Sequence, residues 1–159
     1  MESERNQNFS STIYNNLKVF SDGGARGNPG PAASAFVVKD FQNNIIFKNA
    51  KKIGNTTNNI AEYTAVVMAM DWLVENKKEN LAVNFFLDSQ LVVNQLKGLF
   101  KIKNENLRRL VLLIKQQEVK LKGQVTYQHI PREKNKEADL LVNKALDSPH
   151  DFPGFTSNS

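Results

Sequence analysis

The order of hydrophobic periodicities along the chain constrains its fold more than any other feature of the sequence. Strand-like apolar patterns occupy residues 16–22, 33–40, 45–52, 81–88 and 123–130. Helical spacing of apolar residues predicts helices over residues 58–76, 89–97, 104–120 and 133–146. The order β-β-β-α-β-α-α-β-α predicts an α/β fold with a mixed five-stranded sheet, in which three antiparallel strands precede parallel β-α units and helices cover both faces.

The chain of 159 residues has the size of one domain. Its polar ends predict a disordered tail over residues 1–14 and a flexible C-terminal tail over 148–159, around a domain at 15–147. No apolar run approaches the roughly 18 residues of a membrane span, and the N-terminal segment lacks the apolar core of a signal peptide. We therefore expect a cytoplasmic protein without membrane association, and a monomer as the simplest state.

Four acidic residues occupy positions that are unusual for surface charges. Asp22 and Asp88 are each the last residue of a predicted strand, at the edge where open α/β sheets place their sites. Glu62 and Asp139 border the apolar stripes of two predicted helices. Each acid alone also fits a salt bridge or a helix cap, but the four together predict a cluster of carboxylates.

Such a cluster requires a cation, because close carboxylates repel one another and raise their own pKa values. The chain has no cysteine and two histidines, so a metal here would be bound by oxygen ligands. All-oxygen sites favour hard cations such as Mg²⁺ or Mn²⁺. Carboxylate sites of this kind hold two metal ions about 3.5–4 Å apart for phosphoryl displacement.

Positive charge is concentrated in one part of the chain. Residues 97–122 contain eight lysines and arginines against two acids, a local charge of +6, while the whole chain carries +5. The remaining residues therefore sum to −1. This distribution suggests a polyanionic partner, although the charge pattern taken alone favours a solvated helix face.

Four segments of the chain resemble, in order, the motif blocks of the type 1 ribonuclease H family. They span residues 21–146 and read SDGGARGNPGPAASAFVV, TTNNIAEYTAVVMAM, FLDSQLVVNQLKG and HIPREKNKEADLLVNKAL. The resemblance implies a ribonuclease H-like fold and hydrolysis of the RNA strand of RNA–DNA hybrids, leaving 3′-hydroxyl and 5′-phosphate ends. It also implies two Mg²⁺ or Mn²⁺ ions per site, bound by Asp22, Glu62, Asp88 and Asp139.

The same resemblance implies which residues contact the substrate. By motif position, those that read the RNA 2′-hydroxyls are Gly23, Asn28, Pro29, Gly30, Asn58, Asn59 and Gln90. Glycine lets the backbone approach a minor groove closely, and the 2′-hydroxyl both donates and accepts hydrogen bonds. Asn58 fits a helix N-cap as well, and Gln90 fits an exposed residue in the first turn of a helix.

The chain departs from the family pattern after the third motif block. Many bacterial and eukaryotic members insert a basic handle there, whereas only GLFKIKNEN separates two predicted helices in this chain. The sequence therefore resembles the handle-less branch of archaea and some bacteria. Lys101 and Lys103 are expected to replace part of the handle by contacting phosphates. Phe100 fits either a core anchor, the favoured interpretation, or stacking on the nucleic acid.

A second departure concerns the loop before Asp139. Many members carry a mobile histidine in this loop, but His129 lies about three positions too early and fits an ordinary residue at a strand end. We therefore assign no catalytic histidine. Arg132 lies nearer the loop tip, where it fits either a cation at the scissile phosphate or a solvated side chain.

Two other function classes fit parts of the sequence. A non-catalytic module that binds hybrids or double-stranded RNA would keep the fold, but it has no need of four carboxylates beside apolar stripes. A DNA nuclease of the integrase or resolvase type would share the acids but not the glycine-rich segment with its asparagine pair. Activity on double-stranded RNA in addition to the hybrid stays open.

Overall fold

The computed structural model describes residues 16–149, which form one sheet with helices on both faces. The strands are β1 (Asn16–Ala25), β2 (Gly30–Lys39), β3 (Ile45–Thr56), β4 (Ala82–Leu87) and β5 (Val125–His129). The helices are α1 (Asn58–Glu75), α2 (Gln90–Leu96), α3 (Glu105–Lys120) and α4 (Lys136–Asp147). The predicted tail at 1–14 lies outside the described residues, as does the predicted C-terminal tail from residue 150 onward.

The sheet has the strand order β3-β2-β1-β4-β5 and confirms the predicted mixed topology. β1 pairs antiparallel with β2 and parallel with β4; β2–β3 is antiparallel and β4–β5 is parallel. β1 is therefore the central strand. Its odd-numbered residues Val19 and Ser21 belong to one face, and Phe20 and Asp22 to the other, because side chains alternate along a strand.

Two apolar cores lie on opposite faces of this sheet. The larger core fills the face that carries α1, α2 and α3, with Val19, Phe36 and Phe85 among its fully buried residues. The smaller core packs Ala138 and Val142 of α4 against small buried residues of β2 and β3, with Phe20 of β1 at its side. At the edge of the larger core, the ring of Trp72 stacks on that of Phe47 with centroids 4.8 Å apart.

Side chains cap the N-termini of three helices. Thr57, Ser89 and Asn104 accept hydrogen bonds from the backbone NH groups of Ile60, Val92 and Leu107. Ser89 is thus the N-cap of α2, directly after Asp88. The N-cap interpretation of Asn58 is wrong, because Thr57 holds that position and Asn58 is the first residue of α1.

Residues 97–104 connect α2 directly to α3, as expected for a chain without the handle. The favoured interpretation of Phe100 as a core anchor is wrong. Its side chain is 52% exposed and the neighbouring Leu99 is 67% exposed, and it is Ile102 of this connection that packs against the larger core. Among the helices of residues 16–149, none has the length and apolar character that crossing a membrane would require.

Candidate functional site

Asp22 and Asp88 reach the same edge of the sheet from adjacent parallel strands. The last β1–β4 pair is Phe20 with Phe86, whose rings stack with centroids 5.0 Å apart. Each acid lies two residues beyond its phenylalanine and so points to the same face. Asp22 lies inside β1 rather than at its end, because β1 continues to Ala25 as a hairpin with β2. The predicted strand ended on Asp88, whereas β4 ends at Leu87 and Asp88 directly follows it.

Glu62 is brought to Asp22 by a close backbone contact between α1 and β1. A Cβ atom on Gly23 would lie 2.2 Å from the Ala61 carbonyl carbon, a distance that only glycine permits. The buried hydroxyl of Ser34 donates a 2.6 Å hydrogen bond to the Ala61 carbonyl oxygen. The first turn of α1 is therefore fixed on the sheet one residue before Glu62.

Asp139 is positioned by a buried asparagine at the start of α4. The side-chain amide of Asn135, which is 1% exposed, donates a 2.9 Å hydrogen bond to the carbonyl oxygen of Ser21. The backbone NH of Asp139 bonds to the Asn135 carbonyl one helical turn later, at 3.1 Å. One residue thus connects the strand that carries Asp22 to the helix that carries Asp139.

These elements bring all four predicted carboxylates to one cleft of about 420 Å³. One carboxylate oxygen from each of Asp22, Glu62 and Asp88 lies within 4.8 Å of the other two. Asp139 lines the same cleft but stands outside this three-membered group. The structure therefore places a compact trio of acids beside a fourth.

Burial and mutual repulsion raise the pKa values of the inner acids. Desolvation, followed by the charges of Asp88, Asp139 and Glu62, raises the pKa of Asp22 to about 8. Desolvation and the charge of Asp88 raise the pKa of Glu62 to about 7, against a hydrogen bond from Ser89 and the charge of Arg132. Both carboxyls thus bind protons near neutral pH when no cation balances them.

The donor set fits divalent metal ions. It consists of carboxylate oxygens, the ligands preferred by Mg²⁺ and Mn²⁺. A bound cation would offset the repulsion that raises the pKa values of Asp22 and Glu62. The chemistry of the trio therefore agrees with the predicted metal site, with Asp139 close enough for its charge to act on Asp22.

A hydrogen-bond network joins the glycine-rich segment to the start of α1. The side-chain oxygen of Asn58 accepts a 2.8 Å hydrogen bond from the Ala25 NH, and that of Asn28 accepts a 3.0 Å bond from the Asn58 NH. The turn between β1 and β2, which contains a cis Asn28–Pro29 bond, is thereby fixed beside the cleft. Two of the predicted substrate residues, Asn28 and Asn58, are therefore brought together.

The other predicted substrate residues lie in several places. Gly23 lines the cleft, while Pro29 and Gly30 lie in the adjoining turn at the start of β2. Gln90 is exposed in the first turn of α2, two residues after Asp88. Asn59 is partly buried in the first turn of α1, and Lys101 and Lys103 are exposed in the α2–α3 connection.

Two arginines line the cleft with the four acids. Arg132 begins a short 3₁₀ turn, Arg132–Lys134, and lies where the sequence placed a substitute for the loop histidine. His129 is the exposed last residue of β5. Arg26 projects from the turn between β1 and β2, and its guanidinium makes a 2.7 Å ion pair with Asp147 at the end of α4.

Sequence reasoning missed Ser34 and Asn135, which position the acids without belonging to the cluster. Asn135 lies four residues before Asp139 and therefore on the same helix face, a spacing that could have identified it. Ser34 gave no comparable signal, because its partner Ala61 is 27 residues away in the chain.

A family model described as reverse transcriptase-like matches residues 20–145 of this chain. The bifunctional protein Rv2228c of Mycobacterium tuberculosis is 36% identical over 131 residues, covering 82% of this chain and 35% of that protein. A ribonuclease HI of Halobacterium salinarum is 36% identical over 137 residues, covering 82% of this chain and 64% of that protein. The chain thus spans about a third of the length of the first curated relatives it matches.

This chain is also similar to a solved structure of a ribonuclease H1. The crystal structure of LC11-RNase H1, isolated from compost by a metagenomic approach, in complex with an RNA/DNA hybrid is similar to this chain with a TM-score of 0.79 and 38% identity. The match covers 82% of this chain and 96% of that one. The similarity in fold and sequence extends over nearly the whole of that neighbour.

Proposed function

This chain belongs to the type 1 ribonuclease H family, and we propose that it is an endonuclease that hydrolyses the RNA strand of RNA–DNA hybrids. The observation that carries the proposal is the convergence of Asp22, Glu62 and Asp88 within 4.8 Å in a cleft that Asp139 also lines. A module that only binds nucleic acid gains nothing from burying repelling carboxylates, which cost stability. The arrangement therefore favours chemistry over binding alone.

The proposed cofactor is a pair of Mg²⁺ or Mn²⁺ ions held by Asp22, Glu62, Asp88 and Asp139. When bound, two such ions would activate the attacking water and stabilise the leaving oxygen of the phosphodiester, and cleavage would leave 3′-hydroxyl and 5′-phosphate ends. The chain itself contributes preorganisation, because Gly23, Ser34 and Asn135 fix the elements that carry the acids.

The remaining proposed roles concern the substrate. The side chains of Asn28 and Asn58 fix the turn between β1 and β2, whose backbone would lie against the ribose 2′-hydroxyls. Asn59, Pro29, Gly30 and Gln90 are proposed to complete this contact. Arg132 lines the cleft, close enough for its positive charge to act on Glu62, and is proposed to bind the scissile phosphate. A cytoplasmic location and a monomeric state stay predictions from the sequence.

A cleavage assay on matched duplexes tests this function. Labelled RNA–DNA, RNA–RNA and DNA–DNA duplexes of one sequence are incubated with the protein and Mg²⁺ or Mn²⁺. The cleaved strand is identified from its label, and the chemical groups at the new 3′ and 5′ ends are determined. We expect cleavage of the RNA strand of the hybrid, and the RNA–RNA duplex measures the second activity left open by the sequence. Asp88→Asn serves as the control, which should bind the hybrid but not cleave it. Preferential cleavage of DNA–DNA would contradict the proposal, and hybrid binding without cleavage by the wild type would indicate a non-catalytic module.

Charge reversal of Lys101 and Lys103 tests the predicted role of the α2–α3 connection. Both side chains are exposed, so the double change to glutamate should leave the fold intact. If both contact phosphates, the slope of log Kd for the hybrid against log salt should fall in magnitude by about 2. Fluorescence anisotropy across a salt series measures it.

The matched control for this pair is Lys77→Glu with Lys78→Glu, in the turn after α1. That turn lies at the opposite end of α1 from Asn58, so these changes alter net charge equally without touching the cleft. An equal loss of affinity in both double variants would show that Lys101 and Lys103 act only through net charge.

A further inference from the structure

Arg26 is a cation on a rigid support beside the acidic cleft. Its backbone NH donates a 2.8 Å hydrogen bond to the Pro31 carbonyl, and its own carbonyl lies so close to Gly30 that a Cβ there would approach it to 2.1 Å. The preceding residue, Ala25, is held by Asn58. The backbone around Arg26 is therefore fixed, and only its side chain is free to change partner.

The present partner of Arg26 is a weakly held one. The ion pair with Asp147 is solvated, with the two side chains 48% and 67% exposed, and such pairs contribute little net stability. A second guanidinium nitrogen of Arg26 lies 3.5 Å from the side-chain oxygen of Asn143, at the limit of a hydrogen bond. A partner with more negative charge would readily replace this arrangement.

Asp147 is also unfavourably placed for the helix that carries it. It is the last residue of α4, and an acid at a helix C-terminus faces the negative end of the helix dipole. Asp147 therefore gains nothing from α4 itself, and Arg26 is the cation that balances it. The pair connects the turn between β1 and β2 to the end of the helix that bears Asp139.

The charges of the cleft explain why a cation here matters to a polyanion. Among the described residues that line it, four are acids and two, Arg26 and Arg132, are cations. A phosphodiester that approaches this cleft must find positive charge to compensate the acids, and guanidinium binds phosphate through paired hydrogen bonds.

Resting on the proposed function, we propose that Arg26 binds a backbone phosphodiester of the hybrid and that Asp147 is its internal competitor. In the free protein the Arg26 guanidinium is paired with Asp147, and in the complex the phosphate takes the place of Asp147 as its partner. Asp147 thus lowers the affinity of the cleft for nucleic acid, and its removal strengthens binding.

A double-mutant cycle in the cleavage-deficient Asp88→Asn background tests this competition. Anisotropy of a labelled RNA–DNA hybrid is measured for Asp147→Asn, Arg26→Ala and the combination. Asp147→Asn should tighten binding by about 2- to 5-fold. Arg26→Ala should weaken it by about tenfold and lower the magnitude of the salt slope by about 1. In the Arg26→Ala variant, Asp147→Asn should increase the affinity for the hybrid no more than the removal of one negative charge elsewhere on the surface does.

That control is Glu75→Gln, which removes one exposed negative charge at the far end of α1. The competition is overturned if Asp147→Asn raises the affinity for the hybrid no more than Glu75→Gln does. It is also overturned if the rise in affinity persists unchanged in the Arg26→Ala variant. Both results leave the proposed function intact. Failure of the wild type to cleave the hybrid overturns the proposed function and, because this inference rests on it, the inference as well.

Discussion

Asp22→Asn is expected to reduce hybrid cleavage by about a thousandfold or more and, at the same time, to stabilise the metal-free protein. Asp22 contributes an oxygen to the carboxylate trio, so its loss removes a ligand at the centre of the proposed metal site. It is also a buried acid, 8% exposed, that is repelled by three others. Replacing it with a neutral isostere removes that repulsion.

The stability effect depends on pH in a defined direction. The pKa of Asp22 is raised from 3.8 to about 8 in the folded protein, and that of Glu62 from 4.5 to about 7. Between about pH 4 and pH 8 the folded state therefore binds more protons than the unfolded state, and the free energy of unfolding decreases as pH rises. Asp22→Asn should flatten this decrease, because it removes the acid with the larger shift.

Thermal unfolding in EDTA at pH 5 and pH 8 measures this effect. At pH 8 we expect a gain of about 2 kcal/mol for Asp22→Asn, or about 4–8 °C in Tm for a chain of this size. Mg²⁺ should stabilise the wild type more than the variant. The exposed acid Glu75, changed to glutamine, is the matched control and should leave Tm nearly unchanged at both pH values. A Tm for Asp22→Asn below that of the wild type at pH 8 would contradict the account of buried repulsion.

Gly23→Ala is expected to destabilise the fold by about 3 kcal/mol or more. The added Cβ would lie 2.2 Å from both atoms of the Ala61 carbonyl and 2.5 Å from the Glu62 nitrogen. These are backbone atoms in the first turn of α1, which cannot rotate away as a flexible side chain would. α1 must therefore shift from β1, at a cost at or above the usual range for overpacking, and Glu62 shifts with it.

Gly24→Ala provides the matched control, because a Cβ there would lie 3.7 Å from a methyl group of Val142, an ordinary contact. Urea denaturation, monitored by circular dichroism, gives the free energies of unfolding of the Gly23→Ala and Gly24→Ala variants. We expect the Gly24 variant to remain within about 1 kcal/mol of wild type. Equal stability of the two alanine variants would show that the close approach of α1 to β1 tolerates a side chain.

The sequence predicted the fold well where periodicity carries the information. Apolar alternation located all five strands, and helical spacing located the four helices, with ends that differ from the structure by a few residues. β1, for example, continues past Asp22 to Ala25, because its glycines extend the hairpin with β2 instead of forming a turn, and β3 continues past its predicted end at residue 52 to Thr56. Phe100 was misplaced, since an apolar residue in a short connection carries no sign of its exposure.

Some properties of the site follow from the sequence, and others follow only from the tertiary structure. The sequence by itself determined the identity of the four acids, their places on strands and helices, and the shared sheet face of Asp22 and Asp88, because these follow from local periodicity and from strand order. The tertiary structure alone decided that three carboxylates meet within 4.8 Å, that burial raises two of their pKa values, and that Arg26 pairs with Asp147. Those properties depend on distances between residues far apart in the chain, which close packing sets and no local pattern encodes.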